Sequence, residues 1–278
     1  AFIASASGKL LRRFATGLRG YLQLGFSDDG SVLGVTSGNR RRVELFEAAT
    51  GARRGAVELA GNSGLHFALN HDGARLVAIT GTGKPAPLSM ACQLYDTGTG
   101  RPLWAKACEW AFSSALMHPD GTRVLLAGNG NRRFWWLLDA ADGTELARVP
   151  VFPVLQTLSR DGRRLAIGTP TGELVVVNPL TGAVLQRARL HTGQLAGAAW
   201  LGNLLLTLGT DGSFTQQRWV FRLWDGELLT PRGSFFGVKQ GVFAPGWSAS
   251  ENGELLTSER PPHRWSFPVS REVATMFS

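Results

Sequence analysis

The sequence has no run approaching eighteen consecutive apolar residues, the length a helix needs to cross a bilayer, and no charged-then-apolar leader opens it, so it reads as a soluble chain with a cytoplasmic location expected. It is also poor in cysteine. Cys92 and Cys108 are too few for a disulfide framework or a metal cluster and say little about redox compartment. No Gly-rich phosphate loop, His-Glu-x-x-His, Cys-x-x-Cys or Gly-x-Ser-x-Gly occurs, and the five histidines are scattered. These absences disfavour an enzyme and leave no expected catalytic residue, metal ligand or cofactor. Only 18% of the residues are charged, and no window keeps apolar residues at a 3.6-residue period without a Gly or Pro interruption, which argues against helix-pair repeats.

What the chain has in quantity is glycine, 35 residues spread through 278, and spread glycine means many turns. Residues 153–190 show the pattern most cleanly. Val154 to Leu158 and Leu165 to Ile167 are apolar runs joined by Ser159-Arg160-Asp161-Gly162, and Leu174 to Val177 and Ala183 to Ala188 are joined by Asn178-Pro179-Leu180-Thr181-Gly182. Each pair reads as a hairpin, with Gly taking the positive φ and Asp accepting local backbone hydrogen bonds. Such a four-stranded unit, a to d, has two apolar faces and must stack on copies of itself. Copies are predicted at about 20–60, 62–109, 111–150, 153–191, 194–236 and 240–278, with a half unit, strands c and d only, at 1–19. In the fifth copy Leu201-Gly202-Asn203 replaces the Asp-Gly turn, and Leu223-Trp224-Asp225-Gly226 reads as a shortened c–d turn. The b–c loop with Pro85 and Pro87 is expected to protrude.

The segments Ser27-Asp28-Asp29-Gly30-Ser31-Val32-Leu33, Asn70-His71-Asp72-Gly73-Ala74-Arg75-Leu76, His118-Pro119-Asp120-Gly121-Thr122-Arg123-Val124 and Ser159-Arg160-Asp161-Gly162-Arg163-Arg164-Leu165 resemble the S-P-D-G-x-x-L signature of WD40-like propellers. Leu94-Tyr95-Asp96 before Thr99-Gly100, and Leu223-Trp224-Asp225, resemble that family's c-strand end. The resemblance implies an all-β propeller of four-stranded blades. Six a–b and seven c–d hairpins favour seven blades, with the missing pair upstream of Ala1 and the chain a piece of something larger; six blades is the alternative. The family's Gly-His pair is absent from every d–a loop and Trp-Asp occurs once, so its buried Asp-His-Ser/Thr-Trp network is not expected here.

Repeated carboxylates, Asp29, Asp72, Asp120 and Asp161, are assigned to turns, and His118, at the position of Ser27, Asn70 and Ser159, to a cap. The tryptophans are assigned to packing between blades. His66, His71, His191 and His263 are assigned structural or solvated positions. Cys92 and Cys108 flank one c–d hairpin; a disulfide there needs Cα atoms within about 7 Å.

The basic excess, 29 Lys and Arg against 21 Asp and Glu, is mostly arginine. Composition alone accounts for part of it, but Arg40, Arg41 and Arg42 share a b–c loop position with Arg132 and Arg133, with Lys84, and with the segment from Arg260 to Arg264, while Arg19 and Lys239 fall in d–a loops. In propellers of this family these loops share one face and the Asp-Gly turns the other. The expected function is a non-enzymatic protein-interaction, sensing or scaffold module, part of a larger signalling protein. An anion- or nucleic-acid-binding propeller using the basic face is the alternative, and a propeller hydrolase or lyase a more distant one.

Overall fold

The computed structural model describes residues 2–3, 10–12, 23–36, 41–61, 63–82, 89–108, 111–129, 134–212, 218–236, 247–249, 254–257 and 264–266. All regular elements among them are strands. β1 (Phe2–Ile3) pairs antiparallel with β2 (Leu10–Arg12). Five four-stranded sheets follow, each with its strands side by side in chain order. The first holds β3 (Leu24–Phe26), β4 (Val32–Thr36), β5 (Arg42–Glu47) and β6 (Arg53–Glu58). The second holds β7 (Ser63–Leu69), β8 (Arg75–Thr82), β9 (Ser89–Asp96) and β10 (Pro102–Cys108). The third holds β11 (Ala111–Met117), β12 (Arg123–Asn129), β13 (Trp135–Asp139) and β14 (Glu145–Val149). The fourth holds β15 (Leu155–Leu158), β16 (Leu165–Gly168), β17 (Glu173–Val177) and β18 (Val184–Arg189). The fifth holds β19 (Leu195–Leu201), β20 (Leu204–Asp211), β21 (Arg218–Asp225) and β22 (Pro231–Phe236). A three-stranded sheet of β23 (Trp247–Ala249), β24 (Glu254–Thr257) and β25 (Arg264–Ser266) closes the described chain.

Two compact units divide these sheets. One comprises Ala1–Ala111, Ala115–Val124 and Asp139–Thr144; the other comprises Phe112–Ser114, Leu125–Leu138 and Glu145–Ser278.

Burial explains the strand sequences. Strands b and c are apolar on both faces because both are covered: β16 is buried throughout and β17 in all but its first residue. Strand d has one wet face, and β18 alternates between exposed and half-buried residues. In the first unit, Val32, Val43, Leu45 and Val57 of the first sheet share a core with Phe67, Leu69, Leu76, Ala78 and Tyr95 of the second. Gly34 makes room for it, since a Cβ there would stand 2.6 Å from the Phe67 ring. In the second unit, Ala166, Leu174 and Val176 pack with Leu195, Trp200, Leu205 and Trp224. Each such side chain contributes roughly 1.5–3 kcal/mol by leaving water, which only a neighbouring sheet supplies.

The fifth c–d turn differs from the sequence reading. It is full length, with Leu229 N–H donating to the Asp225 carbonyl just as Gly51 donates to Glu47, Gly100 to Asp96 and Gly182 to Asn178. Leu229 takes φ of 51°, where the other turns place glycine. Its side chain is buried in the core with Trp200 and Trp224, and that burial offsets the left-handed backbone, which costs an ordinary residue about 1 kcal/mol or more. Without a glycine to mark it, the turn was invisible to the spacing argument. Cys92 and Cys108 are free and buried. Cys92 stands opposite Lys106 and Cys108 opposite Met90, so the two thiols are offset by two positions across the β9–β10 pair, and burial pushes both thiols up.

Candidate functional site

The a–b turns of the first four blades are built on one plan. The residue before each turn, Ser27, Asn70, His118 or Ser159, contacts the Oδ1 of the Asp two positions on, at 2.6, 2.8, 2.7 and 2.7 Å. That same Oδ1 accepts the N–H of the residue after the glycine: Ser31 at 2.9 Å, Ala74 at 2.9 Å, Thr122 at 2.8 Å and Arg163 at 3.0 Å. The carboxylates are held in their charged form as a result. For Asp29 the Ser27 hydroxyl lowers the pKa most, and for Asp72 the Ala74 N–H does. At Asp120 and Asp161 burial pulls upward and is outweighed by the hydrogen bonds from Thr122 and from Arg163 with Ser159. The turn role assigned to these residues, and the capping role of His118, are thereby located.

In four blades the c–d turn leans on the a–b turn of the same blade; the fourth blade has Pro179, which has no N–H, at the donor position. Ala48 N–H donates to Ser31 O at 2.8 Å, Thr97 to Ala74 O at 3.0 Å, Ala140 to Thr122 O at 3.0 Å and Gly226 to Asn203 O at 2.8 Å. Both kinds of turn thus share one end of each sheet. In the first unit the turns of successive blades also touch: Asp29 N–H donates to His71 O at 3.1 Å, and Arg75 Nη1 donates to Gly121 O at 3.2 Å.

Between the second and third a–b turns lies a groove of about 550 Å³, lined by Asn70, Asp72, Arg75, Asp120, Arg123 and Asp139 among others. Arg123 Nη1 lies 3.2 Å from Asp139 Oδ2 and donates to its neighbour's carbonyl, Thr122 O, at 2.8 Å. The groove is mixed in charge and lined by residues of the turns and the strands that leave them. Its outline depends on one position, the second residue after each turn glycine. That residue is Val32 in the first blade, Arg75 in the second and Arg123 in the third. Val32 fills the space over the next turn, where a Cβ on Gly73 would meet it at 2.4 Å, whereas a Cβ on Gly121 would find its nearest neighbour, Asn70, at 3.5 Å.

The basic loops are placed only in part. Arg19, Arg40, Lys84, Arg132, Arg133, Lys239 and Arg260 lie outside the described residues, as does the 83–88 loop expected to protrude. Arg41 is exposed, and its carbonyl accepts the Leu59 N–H at 2.8 Å. Arg42 stands on β5 rather than in the loop, with Nε 2.8 Å from Glu44 and 3.2 Å from Glu58. Arg264 opens β25.

A buried network overturns the expectation that the Asp-His-Ser/Thr-Trp set is not found here. His191, read as a solvated or structural loop residue, is 1% exposed, and its Nε2 lies 2.9 Å from Thr207 Oγ1. Trp224 Nε1 donates to that same hydroxyl at 2.9 Å. Asp211 Oδ2 stands 3.4 Å from His191 Nδ1, longer than a good hydrogen bond, and 2.9 Å from Arg222 Nη2. Burial outweighs the Asp211 charge and drives the His191 pKa down to about 4, so the ring is neutral near pH 7. Among the described residues the Asp-His-Thr-Trp set is therefore present once, in the fifth blade. Leu190 precedes His191 where the motif has glycine, and that substitution concealed it. Two tryptophans bridge neighbouring blades: Trp200 Nε1 donates to Thr157 O at 3.1 Å, and Trp104 Nε1 to Ala140 O at 2.9 Å. His66 Nδ1 accepts from Ala115 N–H at 3.3 Å, another contact between neighbouring blades.

Comparison with known proteins gives the fold its class. A family model described as outer membrane protein assembly factor BamB matches residues 39–210, more than half of the chain. No curated protein matches. Among solved structures, the Cps50 (Swd1) β-propeller domain of Myceliophteria thermophila is 16% identical, covering 90% of this chain and 87% of that one with a TM-score of 0.63. Hydrazine synthase of Kuenenia stuttgartiensis is also 16% identical, covering 91% of this chain and 78% of that one with a TM-score of 0.67. The fold is an all-β propeller type, and the resemblance read from the turns holds at the level of a β-propeller repeat.

Proposed function

We propose that this chain, which belongs to the family of outer membrane protein assembly factor BamB, is a non-enzymatic interaction or scaffold module that docks a partner protein. The observation that carries the reading is the turn plan. The carboxylates repeated down the chain each commit Oδ1 to a turn N–H group, so they fix the shape of a surface rather than stand ready to move protons. A rigid surface loses little conformational entropy on association, which is what a docking scaffold needs. At 16% identity, the likeness to hydrazine synthase carries the fold alone.

The family's name points to outer membrane protein assembly, and a polypeptide engaged in that assembly is the partner proposed. No helix among the described residues is long and apolar enough to cross a membrane. Cell fractionation decides between the cytoplasmic location expected from the sequence and an envelope location in keeping with the family's name. The main test uses a photoreactive side chain at Thr99 or Arg54, both at the turn end of their sheets, and at Leu185 on an outer strand. Discrete adducts from the turn positions are expected. Adducts from Leu185 alone, or from none of the three, would refute docking through the turns.

The second reading, an anion site on the basic loops, rests on the charge of +8 and the paired Gly-Asn-Arg-Arg segments. Replacing Arg40, Arg41, Arg132 and Arg133 by Glu is expected to abolish retention on a polyanion column without unfolding the protein. Elution at the wild-type salt concentration would remove this reading.

A further inference from the structure

We propose that the groove between the second and third a–b turns binds an arginine side chain presented by an extended segment of a partner polypeptide, an inference that rests on the docking function above and names the chemistry of one contact. The volume, about 550 Å³, lies in the range of roughly 300–1,000 Å³ typical of ligand sites. It exceeds what one side chain needs, leaving room for the backbone on either side.

The balance of charge sets the sign of the ligand. Three carboxylates and two guanidinium groups line the groove. Arg123 is matched by Asp139 at 3.2 Å. Arg75 donates to the Gly121 carbonyl and lies near enough to Asp96 for the two charges to interact. Asp72 and Asp120 remain, on adjacent turns, without a lysine or arginine partner among their described contacts; His118 Nδ1 stands 2.7 Å from Asp120 Oδ1. Among the described contacts, the hydrogen bonds that fix the two carboxylates go to Oδ1, and Oδ2 of each is the atom assigned to the ligand. A planar guanidinium can donate to two carboxylates at once, which the point charge of an ammonium does less well.

The corresponding space between the first and second turns is closed by Val32. The opening therefore follows from the change from Val32 to Arg75 at one repeat position. In a chain of net charge +8, such a spot distinguishes one approach of a basic segment from others that the bulk charge repels.

The probe is an N-acetylated, C-amidated pentapeptide of alanines with a central Arg, alongside Lys and Glu counterparts, titrated into the intact chain by NMR or calorimetry at low salt. The Arg peptide is expected to bind, the Lys peptide more weakly, and the Glu peptide not at all. Asp72→Asn with Asp120→Asn keeps an acceptor for each turn and is expected to weaken the Arg peptide by about tenfold or more, the scale of two partly exposed charge contacts. Asp161→Asn, the equivalent change in the fourth blade, is expected to leave binding unchanged. Should the double variant fail to fold, Ala74→Lys introduces an ammonium at the groove without touching the turn carboxylates and should abolish binding. Equal binding by the Asp161→Asn and double variants, or equal binding of the Glu peptide, overturns the site. Cross-links from Thr99 that persist while the Arg peptide fails would leave the docking function standing and remove only this contact.

Discussion

Replacing Thr207 by valine and, separately, Thr80 by valine applies one chemical change to two buried hydroxyls with opposite surroundings. Thr207 is fully buried, and its Oγ1 stands 2.9 Å from both His191 Nε2 and Trp224 Nε1. Valine keeps the shape and removes the oxygen, so an indole N–H and an imidazole nitrogen lose their partner where water does not reach. Each such orphaned group costs roughly 1–3 kcal/mol, and the pair is expected to cost about 3 kcal/mol. Thr80 is equally buried, but its Oγ1 has no hydrogen-bond partner among the described residues. Its removal takes away an unsatisfied hydroxyl and is expected to be neutral or to stabilise by about 1 kcal/mol. Urea denaturation followed by far-UV circular dichroism reads both, and thermal melting should show Thr207→Val about 9 °C lower and Thr80→Val level or higher. A Thr207→Val variant within about 0.5 kcal/mol of wild type, or a Thr80→Val variant as damaged as Thr207→Val, would refute the claim that the shared hydroxyl holds the fifth blade together.

Acid should weaken the fold in two stages. His191 titrates near 6.5 when unfolded and at about 4 when folded, so the unfolded chain binds a proton that the folded chain refuses; stability is whole above pH 6.5 and falls by about 3 kcal/mol as pH drops to 4. The turn carboxylates Asp29, Asp72, Asp120 and Asp161, all lowered from 3.8, add their loss only below that window. A His191→Gln variant with an unchanged slope between pH 6.5 and 4 would remove His191 from the account. Gly172→Ala is expected to cost about 3 kcal/mol or more, because the new Cβ would lie 2.2 Å from His191 O and 2.3 Å from Gly193 O at a φ of +79°. Gly30→Ala, at φ +71° with nothing within 4 Å, should cost only about 1 kcal/mol for the backbone. Equal melting temperatures for the two variants would refute the steric part.

The repeat was legible because its signals are local. In Ser159-Arg160-Asp161-Gly162 the hydroxyl, the carboxylate and the glycine act within five residues of one another, with Ser159 Oγ accepting from Arg164 N–H at 3.0 Å and donating to Asp161 at 2.7 Å. The apolar runs Leu165 to Ile167 and Leu174 to Val177 likewise announce strands covered on both faces wherever they sit. The fifth c–d turn was misread where a glycine was missing, since Leu229 holds the left-handed conformation through burial against residues far along the chain. His191, Thr207 and Trp224 come from a d–a loop and two strands, and the spacing of 16 and 17 residues between them carries no signal until hydrogen-bonded registers align β20 with β21. The groove is further from the sequence still. Arg75 and Gly121 are 46 residues apart, and nothing in either segment says that one blade's arginine will lie against the next blade's turn. Hydrogen bonds within a turn and alternation along a strand are short-range and written in order. Which side chain closes or opens the space between two sheets depends on how those sheets pack, and only the tertiary structure decided it.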